Sequence, residues 1–201
     1  SAPVKGIVGP WVHKYPHFAV PEPRIGFLQE ALRWWDRWLK DQPTGVEDDP
    51  AYRAYLMDGV RPARWYETRP GRWIAEPSWP SPNIAERTLA LGADMGGALP
   101  TLVNSPQDCG ADGGEYCAIW LGPELPGDQR RDDALSACWD TGPLAETDVV
   151  GAPVMTLRLT PRTQAAQLAV RLNHIHPDGA ATRVTWGVLN LAFRNGFGAP
   201  E

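Results

Sequence analysis

The sequence predicts a mainly β, loop-rich protein carrying one strong helix, and three observations support that prediction. Gly and Pro supply 20 and 21 of the 201 residues, about a fifth of the chain where about an eighth is ordinary. Turn-forming clusters recur between short apolar runs: DGVRP, PSWPSPN, GADMGG, CGADGGE, GPELPGD and HPDG. Core formers are still plentiful, with 43% hydrophobic residues and ten Trp, so burial can offset the entropy of ordering the chain. Long helices and coiled coils are excluded, because Gly and Pro at this density would interrupt them.

Taken in order, residues 4–8 (VKGIV) read as a short buried strand that runs into the loop GPWVHKYPHF at 9–18. The segment RIGFLQEALRWWDRWLK at 24–40 reads as the helix. In it Ile25, Leu28, Ala31, Leu32, Trp35, Trp38 and Leu39 recur at helical spacing and form one apolar stripe. Pro21 and Pro23 lie just before it, where a missing N–H is harmless, and Arg37 with Lys40 suits the negative end of the helix dipole. A stripe this rich in Trp requires a large partner surface. From about residue 43 the chain reads as short strands: 52–57, 64–67, 72–75, 88–91, 118–121, 136–140, 154–160, 167–174 and 182–193. Strands this short, separated by turns this dense, predict a sandwich or jelly roll. Gln167, Ala169, Arg171 and Asn173 alternate with Ala166, Leu168, Val170 and Leu172, the pattern of a half-buried antiparallel strand. HPDG at 176–179 then turns the chain into its longest strand run.

The formal net charge is −5, from 19 basic and 24 acidic residues, with no basic stripe; phosphate-driven nucleic-acid binding is not expected. Arg130 and Arg131 are neutralised locally by Asp128, Asp132 and Asp133. No apolar run approaches the ~18 residues that span a bilayer, and SAPVKGIVGPW lacks the regions of a signal peptide. A cytoplasmic protein without membrane partners is expected, with Ser1 and Ala2 reading as a processed start or a tag remnant. Cys109, Cys117 and Cys138 are too few for a disulfide scaffold or zinc ribbon. They read as free thiols, with a Cys109–Cys117 disulfide as the alternative.

Four histidines fall in two pairs, His13 with His17 and His174 with His176. Alternate strand positions could let His174 and His176 share a metal, but Pro177 places His176 at the turn, and Pro16 breaks the helix that His13 and His17 would need. No HExxH or clustered Cys supports a metal, and no cofactor is expected. The Gly-rich GADMGG and GADGG lack the Lys-Ser/Thr and the strand-to-helix setting of a phosphate cradle. Exposed Trp could stack on sugars, against the plainer reading that they pack core and interfaces. His13 is the sharpest candidate: it follows a strand, a Gly-Pro turn and a Trp, and it precedes an amphipathic helix, as the triad His of an α/β-hydrolase does. No G-x-S-x-G surrounds Ser1, Ser78, Ser81, Ser105 or Ser136, and only twelve residues precede His13.

The segments Gly9-Pro10-Trp11-Val12-His13, EALRWWDRWLK at 30–40, PGDQRRDD at 126–133, DTGPLAETDVVGAP at 140–153 and RLNHIHPDGAATRVTWGVLNL at 171–191 together resemble the CocE/NonD hydrolases, relatives of cocaine esterase and the X-prolyl dipeptidyl-peptidases. The resemblance covers nearly the whole chain. It implies a serine hydrolase acting on acyl esters, amides or X-Pro peptides, in which Ser attacks the carbonyl and the His takes and returns the proton. Only the His carries over, onto His13, and its neutral form is the working base, so activity should fall at acidic pH.

The resemblance therefore implies a jelly-roll-like antiparallel β-sandwich over 50–201, truncated at its end, preceded over 1–43 by the last strand and helix of an α/β-hydrolase domain. The chain is expected to be a C-terminal fragment, inactive alone because the nucleophile and the acid are missing, with the sandwich shaping the pocket of the parent enzyme. Self-association, or the missing hydrolase portion, should cover the Trp35/Trp38 face. The alternative is a non-catalytic sandwich module that binds carbohydrate or a protein partner.

Overall fold

The computed structural model describes residues 3–97, 99, 101–163, 165–196 and 198; Ser1 and Ala2 lie outside them. The short apolar run at the start forms β1 (Gly6–Val8), which pairs in parallel with β2 (Tyr52–Met57). β2 continues antiparallel into β3 (Gly71–Glu76), giving a three-stranded sheet of order β1-β2-β3. A second, two-stranded antiparallel sheet joins β4 (Gln167–Ile175) to β5 (Ala181–Asn190). With two α-helices, α1 (Phe27–Lys40) and the single turn α2 (Arg130–Asp133), the described chain is mainly β.

The helix begins three residues later than its stripe suggests. Ile25 N–H turns back to the Pro16 carbonyl at 3.3 Å, which keeps 24–26 in the loop. It ends at Lys40 because Asp41 takes a left-handed conformation with φ 55°, and Asp41 and Gln42 amides return to the Arg37 and Asp36 carbonyls at 3.1 Å each. The HPDG turn forms as expected: His176 N–H bonds to Ala180 O at 2.8 Å, and Gly179 sits at φ 83°, where a side chain would be strained.

Several expected strands are absent, and in four of the five segments backbone groups are bonded elsewhere. At 118–121 the amides of Ile119, Trp120 and Leu121 all go to the Glu124 carboxylate. At 64–67 the carbonyls of Arg64 and Glu67 accept from Leu125 and Glu22. Residues 88–91 close a tight turn in which Asp94 binds the Ala90 amide at 2.7 Å. At 136–140 the Ser136 amide returns to Asp133, and only Asp140 makes a bridge, to Gly96. Residues 154–160 pair with no described strand and leave Val154 90% exposed. The run expected over 182–193 is β5 to Asn190, followed by a 3-10 turn over Leu191–Phe193.

The interior is unusual in its chemistry. The largest fully buried side chains are Gln129, Asp132 and Pro21, and the buried apolar residues are the small Ala19, Val46, Ala180 and Ala181. Asp132 accepts the amides of Gly110 and Asp112 at 2.9 and 3.1 Å, and Gln129 donates to the Asp112 and Gly127 carbonyls at 2.7 and 3.0 Å. Arg171 on β4 then reaches Asp132 at 3.3 Å and Asp133 at 2.9 Å. The first half of β4 keeps the expected alternation, with Leu168 and Val170 half-buried and Gln167 and Ala169 exposed. From Arg171 onward it reverses: Arg171 and Asn173 point toward α2, while Leu172 is 39% exposed. The charged groups face inward because each finds a partner there.

Candidate functional site

The loop that carries His13 is built by its own sequence. Gly9 permits the turn after β1, since a Cβ there would lie 2.6 Å from the Trp11 ring. Trp11 donates its indole N–H to Pro23 O at 2.8 Å, and Val12 N–H bonds to Val20 O at 3.3 Å, so the two limbs of the loop are fastened together. Arg24 Nε donates to the carbonyl of fully buried Ala19 at 3.1 Å. Beyond the tip, His17 stacks on Phe27 with rings 6.0 Å apart and 7° from parallel, and meets Phe18 edge-on at 4.7 Å. The aromatic packing therefore takes His17 and leaves His13 exposed.

The main chain at His13 is tied to a distant part of the sequence. Its amide donates to Ala118 O at 2.8 Å. Ala118 opens the segment whose next three amides converge on Glu124, and Trp120 of that segment lies on Trp65 with ring centroids 3.6 Å apart. Neither Ala118 nor Glu124 stood out in the sequence: a backbone carbonyl leaves no signature, and an acidic residue in GPELPGD reads as ordinary turn composition.

No triad is assembled among the described residues. Ser78 donates to Pro80 O, Ser81 to the Glu76 carboxylate, Ser105 to Leu135 O and Ser136 to Asp132 O. The other histidine pair is structural in setting. The rings of His174 and His176 lie 4.3 Å apart, and His176 Nε2 is 2.9 Å from Thr182 Oγ1 and 3.1 Å from Val60 O. Burial, reinforced by His174 and Arg61, holds the His176 imidazole below the ordinary histidine range, which keeps it neutral. No group of three or more metal-ligating side chains gathers among the described residues. Cys109, Cys117 and Cys138 are free thiols. No described helix is long and apolar enough to cross a membrane.

A cleft of about 290 Å³ lies elsewhere, lined by Ile7, Ile25, Glu30, Arg53, Trp73 and Ile74. The Arg53–Glu30 ion pair, at 3.0 Å, occupies its polar side.

The pattern of the chain has counterparts. A family profile described as the X-Pro dipeptidyl-peptidase C-terminal non-catalytic domain matches residues 44–201. Proteins of Mycobacterium bovis and Mycobacterium tuberculosis, each named as a proposed serine esterase, are 24% identical to this chain over 211 residues. The alignments cover 94% of this chain and 31% of each relative, so the chain spans about a third of their length.

Proposed function

Because the chain belongs to the family of X-Pro dipeptidyl-peptidase C-terminal non-catalytic domains, we propose that it serves a serine hydrolase, closing and shaping the acyl pocket and presenting His13 as the triad base. The observation that carries this reading is the bond from His13 N–H to Ala118 O at 2.8 Å. It fastens the loop bearing the exposed imidazole to the region that the non-catalytic family covers. The names of the mycobacterial relatives support a hydrolase in general terms.

In the proposed reaction a serine outside these 201 residues attacks the carbonyl of an acyl ester, amide or X-Pro peptide. The neutral His13 ring takes the serine proton and returns it to the leaving group. An acid, also outside this chain, orients the ring. The exposed setting of His13 suits that role, and the described serines, Ser78, Ser81, Ser105 and Ser136, bond to other partners.

A fluorophosphonate probe, which reacts with activated serines, tests the reading. The full-length protein should label and His13→Ala in it should not, while the 201-residue chain alone stays unlabelled. Labelling of any serine in the isolated chain would refute the division of labour.

A further inference from the structure

The three amides of Ile119, Trp120 and Leu121 point at one side chain, the Glu124 carboxylate, at 2.5, 2.7 and 2.6 Å. Trp120 takes φ 70°, a left-handed conformation that lets neighbouring N–H groups converge into an anion-binding nest. Here the anion comes from the chain itself. The main chain of Glu124 is pinned as well: its carbonyl accepts from Glu115 at 2.8 Å, its amide donates to Gly122 O at 2.9 Å, and Leu125 N–H bonds to Arg64 O at 3.0 Å. The Trp120 ring also packs, tilted by 32°, against Trp65, with centroids 3.6 Å apart.

Ala118, which directly precedes the nest, supplies the acceptor for the His13 amide. Lys14, next to His13, adds a favourable electrostatic influence on the Glu124 carboxylate without pairing with it directly. Desolvation works against that charge, but the three amides and Lys14 outweigh it and hold the carboxyl below its ordinary range. One side chain thus organises the segment to which the His13 main chain is bonded.

We infer that Glu124 is a positioning residue for His13: by closing the 118–121 loop on its carboxylate, it fixes the carbonyl to which the His13 main chain is anchored. The inference rests on reading His13 as the triad base, yet the coupling itself can be measured without catalysis. Removing the carboxylate leaves three amides without their acceptor, frees the loop, and loosens the tie that orients the imidazole.

Amide hydrogen exchange on the 15N-labelled 201-residue chain reads the coupling directly. In Glu124→Ala the His13 amide should exchange at least about tenfold faster, together with those of residues 119–121, while the β4–β5 amides keep their protection. Glu124→Gln retains one acceptor oxygen and should fall between wild type and Glu124→Ala, which gives a second readout if the alanine variant unfolds. Unchanged His13 exchange in both variants, or in the glutamine variant when the alanine one does not fold, overturns the inference. In the full-length protein Glu124→Ala should lower kcat by about ten- to a hundredfold with KM within about twofold. A loss confined to KM would contradict a positioning role. If His13→Ala leaves activity intact while the exchange coupling holds, the catalytic reading of His13 fails and the structural coupling stands.

Discussion

Arg171 shows at the scale of one residue how this chain manages a polar interior. Its guanidinium meets Gln129 Oε1 at 3.2 Å, Asp132 at 3.3 Å, Asp133 at 2.9 Å and Ser136 Oγ at 3.1 Å. Asn173 adds its amide to Asp133 at 2.9 and 3.1 Å. Burial pushes the Asp133 carboxyl up while Arg171 pulls it down, and burial prevails. Asp132 has no exposed surface and the Arg171 side chain only 16%, so solvent can replace little of what is lost if the arginine goes. Arg171→Met should therefore destabilise the chain by about 3 kcal/mol or more, the cost of an uncompensated buried carboxylate. Urea unfolding measures this, and a loss under about 0.5 kcal/mol would show that Asp132 is satisfied by its backbone donors alone. The alternating sequence of β4 revealed the strand and the inward face of its first half, but not that Arg171 and Asn173 turn inward in the second half. A polar face turns inward only when partners wait for it, and those partners lie some 40 residues earlier in QRRDD, beyond the reach of any periodicity argument.

At the scale of an element, α1 presents the converse case. Its polar face is the anchored one: Arg33 meets Glu30 and Asp49 at 3.4 and 3.3 Å, Arg53 meets Glu30 at 3.0 Å, and Arg37 pairs with Glu47 and Asp41. The apolar stripe points away, with Leu28 and Leu32 58% exposed, Trp35 53% and Leu39 73%. The helix and its stripe were legible from spacing alone, because 3.6-residue periodicity is a local property. What the stripe packs against is not encoded locally: Ile25 reaches the cleft beside Ile7 and Trp73, while the stripe's Leu28, Leu32, Trp35 and Leu39 stay largely in solvent. An apolar face of this kind favours association, so the isolated chain should exceed monomer mass in light scattering. Trp35→Ser with Leu39→Ser should restore the monomer without loss of fold, since both side chains are already largely in solvent. A wild-type chain that stays monomeric at all concentrations would contradict this. The strands that failed to form make the same point in reverse. The segment at 118–121 has strand composition, but the carboxylate three residues beyond it captures the N–H groups that a ladder would need.

At the scale of the whole molecule, beside the ion pairs of α1 with Asp49, Glu47 and Arg53, main-chain hydrogen bonds among the described residues join the chain before and after position 43 at three places. β1 pairs with β2, Glu22 exchanges backbone bonds with Glu67 and Arg69 at 2.8 and 2.9 Å, and His13 is anchored on Ala118. The mainly β class was legible because Gly, Pro and turn clusters punctuate the chain throughout, and His13 stood out as a candidate because a strand, a Gly-Pro-Trp turn and a helix frame it. The joints were not legible, since two of the three are bonds between main-chain atoms of loops, which any side chain would permit. Through these joints the region of the non-catalytic family would hold the proposed base in place.

Steady-state kinetics of the full-length protein on a chromogenic acyl ester tests that claim most directly. His13→Ala should lower kcat/KM by about 10⁴-fold or more, the loss expected when a triad base is removed, with unfolding by urea unchanged. A variant retaining wild-type kcat/KM would contradict the account, because the base would then have to lie elsewhere.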